Sequence, residues 1–170
     1  MKQAILSLMA IFIAAATMAE APETTLRPQL RPESVVQRLI EADEINCLAL
    51  NVYHESRGEH LEGQIAVAQV TMNRMEHEYF PNTVCDVVWQ SKQFSWTHDG
   101  RSDHPHERLA WITALDIADL VYRGQVEDPT KGALFYHATW VRPVWRHRMD
   151  YFDTIGIHKF YHWDGNWNND

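Results

Sequence analysis

Apolar positions fall into separate blocks along the chain, each with its own rhythm. Lys2 precedes an apolar run from Ala4 to Ala19, interrupted only by Ser7 and Thr17. Residues 34–42 are compatible with a short helix. After Asp43, a plausible N-cap, Ile45, Leu48, Ala49, Val52 and Tyr53 recur at helical spacing, and Gly58 is placed to end that helix. A second helix is predicted from about Glu62 to Glu78. Its interior, Ile65 to Val70, is apolar nearly all round, which predicts burial on every side. Phe80-Pro81-Asn82-Thr83 turns the chain, and 84–103 reads as irregular. A further helix, about His106 to Arg123, aligns Trp111, Leu115, Ala118 and Tyr122 and stops at Gly124. The β-rich runs 133–137 and 155–161 are consistent with a small hairpin. The fold class expected is a mainly helical α+β domain.

The first block addresses the protein rather than folding with it. A basic start, a short apolar stretch and small residues around Thr17, Ala19 and Ala21 describe a secretory signal over 1–19, with cleavage after Ala19. The stretch is short for a bilayer span, which needs roughly 20 residues; an uncleaved membrane anchor is the alternative. Pro22, Pro28 and Pro32 among Thr, Arg and Glu make 20–32 a tether. Together with the short helix, it makes 20–42 a leader to a domain over 43–170. Export to the periplasm or beyond changes the meaning of the two cysteines. In an oxidising compartment Cys47 and Cys85 are expected to pair; buried thiols are the alternative.

Composition narrows the partners. Fifteen basic residues against 23 acidic ones give a formal charge of −8, the wrong sign for a phosphate-backbone binder, so nucleic acid is not expected. An acidic wall polymer would likewise be approached without Coulombic help, leaving stacking and hydrogen bonds to provide the grip. Seven tryptophans offer flat apolar faces with polar edges, suited to cores and to sugar rings.

The densest polar cluster is Tyr53-His54-Glu55-Ser56-Arg57-Gly58-Glu59. Glu55 falls at the edge of the buried helical stripe, near the helix C-terminus. Partial burial and the negative end of the helix dipole both disfavour its carboxylate, so its pKa should rise, as a general acid requires. The alternative is a salt bridge to Arg57 or Arg74. Glu59 and Glu62 are the next candidates for a second carboxylate and read more simply as solvated or capping residues. Ten histidines raise the question of a metal, above all His98 with Asp103-His104-Pro105-His106. No His-Glu-x-x-His spacing exists, and Pro105 keeps His104 and His106 off one helical face, so no metal or other cofactor is expected. Gln93-Phe94-Ser95-Trp96 and Phe135-Tyr136-His137 mix aromatic faces with hydrogen-bonding groups, as a saccharide site would, although Phe94, Trp96 and Phe135 could equally be core. Trp163 and Trp167, in a polar tail, are harder to place in a core.

These residues stand in ordered blocks. Cys47 to Glu59 is followed by Glu62 to Ala68 with Asn73-Arg74, Phe80 to Val84 and Gln93 to Trp96. Asp128 to Ala133, Tyr136-His137, Pro143-Val144-Trp145 and Ile155 to Tyr161 complete the series. Over about 45–163 the chain resembles the SleB-type cell wall hydrolases, whose founding members lyse the spore cortex. The resemblance implies a fold related to lysozyme and lytic transglycosylases, with peptidoglycan glycan strands as the substrate. It implies Glu55 as the sole catalytic carboxylate, acting as acid and then as base to leave 1,6-anhydro ends. It nominates Asn73, Gln93, Ser95, Tyr136 and His158 as sugar-binding or charge-steadying residues. A hydrolytic muramidase and a non-catalytic wall-binding module are the alternatives. No peptidoglycan-binding repeat like that of the founding members is expected in this sequence.

Overall fold

A 25-residue helix, α1 (Pro32–Ser56), opens the part of the chain that the computed structural model describes, residues 32–165. The predicted export signal, residues 20–31 of the tether, and Trp167 lie outside the described residues. Helix α1 replaces the expected short helix and the new start at Asp43. Pro32 suits a first helical turn, and no Gly or Pro follows until Gly58, whose φ of +91° ends the run. Asp43 could cap only if the chain broke there, and nothing in Ala42-Asp43-Glu44 breaks it.

Helix α2 (Leu61–Met75) packs against α1 and against α4 (Arg108–Tyr122). On that side Leu48, Val52 and Tyr53 meet Ala68, Met72, Ala114, Ile117 and Val121. Its opposite side places Ala66 and Val70 against Ala133, Ile155 and Phe160 of the sheet region. Helix α2 is thus a layer between helices and sheet, which explains the absence of a polar face in its sequence. Between them α3 (Val84–Val88) begins at Thr83, whose hydroxyl accepts from Asp86 N at 3.1 Å. Cys85 of α3 is bonded to Cys47 of α1, as expected, with the Cα atoms 5.2 Å apart. The segment read as irregular contains α3 and a single 3₁₀ turn, Ser95–His98.

The sheet has three antiparallel strands in the order β1-β3-β2: β1 (Phe135–Ala138), β2 (Asp150–Ile155) and β3 (His158–His162). The expected hairpin needs correction. Run 133–137 does pair with β3, with Phe135 opposite Tyr161, but 155–161 is not one strand. Gly156, with φ of +61°, and Ile157 form a two-residue turn between β2 and β3. Strand β2 shows no clean alternation because it is a mostly exposed edge, with a register shift between Tyr151 and Asp153. Trp163 is core after all, packed with Leu134, Met149 and Tyr161. Among the described residues no helix is long and apolar enough to cross a membrane.

Candidate active site

The last turn of α1 points Glu55 into a groove of about 380 Å³ that the sheet closes from the other side. Gln93, Phe94 and Ser95 come from the chain entering the 3₁₀ turn, Tyr136 to Ala138 from β1, His158 from β3 and Arg74 from α2. Val141, Pro143 and Trp145 add an apolar wall. Glu55 is half-buried, and desolvation pushes its pKa from 4.5 to about 7. The Arg74 guanidinium and the Tyr136 hydroxyl beside it act in the opposite direction, favouring the ionised form, and are outweighed. The sequence expectation of a raised pKa matches this balance, with burial as the leading cause.

Neither alternative salt bridge claims Glu55. Arg57 Nε pairs with Glu107 Oε1 at 3.0 Å on the surface. Arg74 is buried and donates from Nε to Leu134 O at 2.7 Å. Its guanidinium is flanked by the rings of Phe80, Phe94 and Phe135, each with its centroid 5.4 Å away. A cation held so firmly acts on Glu55 as a fixed charge.

Four of the five nominated binding residues, Gln93, Ser95, Tyr136 and His158, line the groove with Glu55. Asn73 does not. Its Nδ2 donates to Asp128 Oδ2 at 3.0 Å and Ala133 O at 3.1 Å, fastening the loop before β1 to α2. Phe94 and Trp96 are both buried, and Phe94 also lines the groove. Glu62 is exposed in the first turn of α2, as expected. Glu59 is the correction, because it is neither solvated nor a cap. Its side chain is only 6 % exposed, with Oε1 3.0 Å from His158 Nδ1.

Sequence reasoning did not single out Asn51, although it held a signal. Asn51 is a polar residue in the buried stripe, one turn before Glu55, and it is completely buried. His137 and Trp145, which stood in the saccharide-like and matching blocks without being nominated for the site, are both at the groove. The histidine-rich segment lines a separate groove of about 360 Å³ with Tyr53, His54 and Trp96. There His54 stacks on Trp96 with centroids 4.4 Å apart, and its Nε2 lies 3.0 Å from Asp103 O. Among the described residues no group of His, Cys, Asp and Glu is arranged to hold a metal ion.

The profile of a family described as cell wall hydrolase matches residues 58–161. The chain belongs to that family. The match spans α2, the groove-lining segment 93–95 and the sheet as far as Tyr161; Glu55 precedes it by three residues. Among curated relatives of this cell wall hydrolase domain, the spore cortex-lytic enzyme of Bacillus cereus is 37 % identical over 59 % of this chain and 40 % of its own. That of Oceanobacillus iheyensis is 34 % identical over 59 % of this chain and 37 % of its own. The domain thus aligns with well under half the length of these relatives. The crystal structure of the catalytic domain of Bacillus cereus SleB matches at TM-score 0.57 and 33 % identity, covering 71 % of this chain and 90 % of that one. The catalytic domain of the germination-specific lytic transglycosylase SleB from Bacillus anthracis matches at 0.58 and 33 %, covering 70 % and 93 %. The cell wall hydrolase domain therefore has the fold of a SleB catalytic domain, mainly helical with a small antiparallel sheet.

Proposed function

We propose that the domain cleaves peptidoglycan between N-acetylmuramic acid and N-acetylglucosamine as a lytic transglycosylase, with Glu55 as its single acid and base. The observation that carries this reading is that Glu55 is the only carboxylate among the residues lining the described groove, and burial holds its pKa near 7. Two-carboxylate glycosidases need a second acid facing the scissile bond. A transglycosylase needs only one, because the substrate supplies its own nucleophile. The similarity to a solved lytic transglycosylase domain supports the same conclusion.

In this reading protonated Glu55 gives its proton to the bridging oxygen as the bond from that oxygen to the muramic C1 breaks. Arg74 and Tyr136, which favour the carboxylate, steady the ionised Glu55 that results. The carboxylate then takes the proton of the C6 hydroxyl as O6 bonds to C1. A 1,6-anhydro end is left, Glu55 regains its proton and no water is consumed. Trp145 and Pro143 offer apolar faces to the sugar rings, while Gln93, Ser95 and His158 offer partners for hydroxyl and acetamide groups. Digestion of purified sacculi followed by mass analysis tests the reading. Anhydro ends, one water lighter than reducing ends, are expected, and none from Glu55→Gln. Reducing ends would identify a hydrolytic muramidase, and binding without release a wall-binding module.

The same reading places the domain outside the cytoplasm, in the periplasm or beyond, with 1–19 as its export signal. The Cys47–Cys85 disulfide supports an oxidising compartment. N-terminal sequencing of protein from fractionated cells should find Glu20 as the first residue.

A further inference from the structure

Behind the wall of the groove, Glu59 is gripped from several sides. Its Oε1 lies 3.0 Å from His158 Nδ1, with the two side chains 6 % and 5 % exposed. Oε2 accepts from Ile157 N at 2.9 Å, inside the β2–β3 turn. The Glu59 carbonyl accepts from Gln64 Nε2 at 2.8 Å, and its amide donates to Ser56 O at 3.0 Å. Two glycines make room for it, since a Cβ on Gly63 or Gly156 would collide with Oε2. A buried carboxylate held this closely is an expensive way to fasten a turn, because desolvating it costs several kcal/mol unless its partners compensate.

The other end of the imidazole shows what the arrangement achieves. His158 lines the same groove as Glu55, and its ring meets Tyr136 edge-on with centroids 5.0 Å apart. Nδ1 is enclosed on the Glu59 side, and His158 lines the groove, which leaves Nε2 as the ring nitrogen available to it. A carboxylate oxygen 3.0 Å from Nδ1 favours the tautomer of a neutral ring that carries its proton on that nitrogen and its lone pair on Nε2.

We propose that Glu59 is a positioning residue, which orients His158 so that Nε2 accepts a hydrogen bond from an O–H or N–H group of a sugar bound beside Glu55. The inference rests on the groove being the glycan site proposed above. It explains why this carboxylate is buried away from the substrate, and it assigns the site an acceptor that recognises a donor on the saccharide. Around His158, Glu59 favours the charged ring, whereas desolvation and His137 oppose it, with desolvation the largest influence. Tyr136 packs on the ring, His60 borders Gly156 beside it, and Glu55 and Arg74 share the groove. Protonation turns Nε2 from acceptor into donor, so substrate binding should weaken on the acid side.

The test measures binding of isolated glycan strands to Glu55→Gln protein, and kcat/KM on sacculi, across pH. Adding Glu59→Gln should weaken binding about tenfold at neutral pH. Because the anion that favours imidazolium is gone, the acid limb should also move to lower pH, a shift that a purely structural tie would not produce. His158→Gln, which keeps an acceptor, should retain most of the binding without the acid limb. His158→Phe should raise KM about tenfold, with a smaller effect on kcat. If Glu59→Gln does not fold, the two His158 variants decide. Equal binding by both, or an unmoved acid limb in folded Glu59→Gln, overturns the inference. Strands bound through His158 but not cleaved would sink the proposed reaction alone, and strands not bound at all would sink both.

Discussion

Trp96 Nε1 donates to Asn51 Oδ1 across 3.3 Å, joining the segment that carries Gln93 and Ser95 to α1 one turn before Glu55. The same amide donates from Nδ2 to Thr71 Oγ1 at 3.0 Å, reaching α2. One completely buried side chain thus links three segments around the groove.

Asn51→Ala should strand the Trp96 N–H and the Thr71 hydroxyl without partners. A loss of about 2–3 kcal/mol is expected in urea unfolding. At a temperature where both proteins are folded, kcat should fall, because the segment carrying Gln93 and Ser95 loses its tie to α1 one turn before Glu55. Unchanged stability would show that water or a neighbour replaces the amide.

Glu55 should leave two marks on pH dependence. The first step needs its protonated form, so kcat/KM should decline as pH rises through about 7, and this limb should follow Glu55. Stability carries the second. The folded pKa of about 7 lies above the reference value of 4.5, so the native state binds the extra proton between them and stability falls as pH rises across that window. Glu55→Gln should therefore raise stability above pH 7, by up to about 3 kcal/mol, and change it little below 4.5. Thermal unfolding of the two proteins at both extremes checks the sign; a variant less stable at high pH would contradict it.

Where one physical influence dominates, the chain announced its structure in advance. The all-round apolar block of α2 could only be an interior layer, and the apolar stripe with Gly124 behind it marked α4. Glu55 was legible because its distance from the buried stripe and from the helix end both bear on its charge. The errors arose where tertiary contacts override local pattern. Asp43 looks like a cap until α1 is seen to continue through it. Strand β2 is exposed and shifted in register, so alternation does not reveal it. Glu59 carries the same local signature as a solvated glutamate, and only the β2–β3 turn, almost a hundred residues later, encloses it. Asn73 shares a motif with the site, yet its partners belong to the loop before β1.

Those partners make Asn73 a control for the groove. Asn73→Ala should lower stability by about 1–2 kcal/mol through the loss of bonds to Asp128 and Ala133. Its KM on sacculi should stay near wild type while Gln93→Ala raises it. A KM increase from Asn73→Ala as large as that from Gln93→Ala would return Asn73 to the binding site.

The Cys47–Cys85 bond anchors α3, which at five residues is too short to persist alone. Besides the bond, α3 is held by the Thr83 cap and by Glu44, whose carboxylate accepts from Cys85 N at 3.2 Å. Closing a loop between residues 38 apart restricts the unfolded chain by about 4 kcal/mol in the entropic account. Reduction, or Cys47→Ser with Cys85→Ser, should lower the urea midpoint by a corresponding amount without changing the slope much. Because Thr83, Glu44 and the buried Val84, Val87 and Val88 remain, the reduced protein should still fold and cleave sacculi at low temperature, and lose activity earlier on warming. Equal midpoints with and without reductant would mean that these non-covalent contacts alone hold α3 against α1.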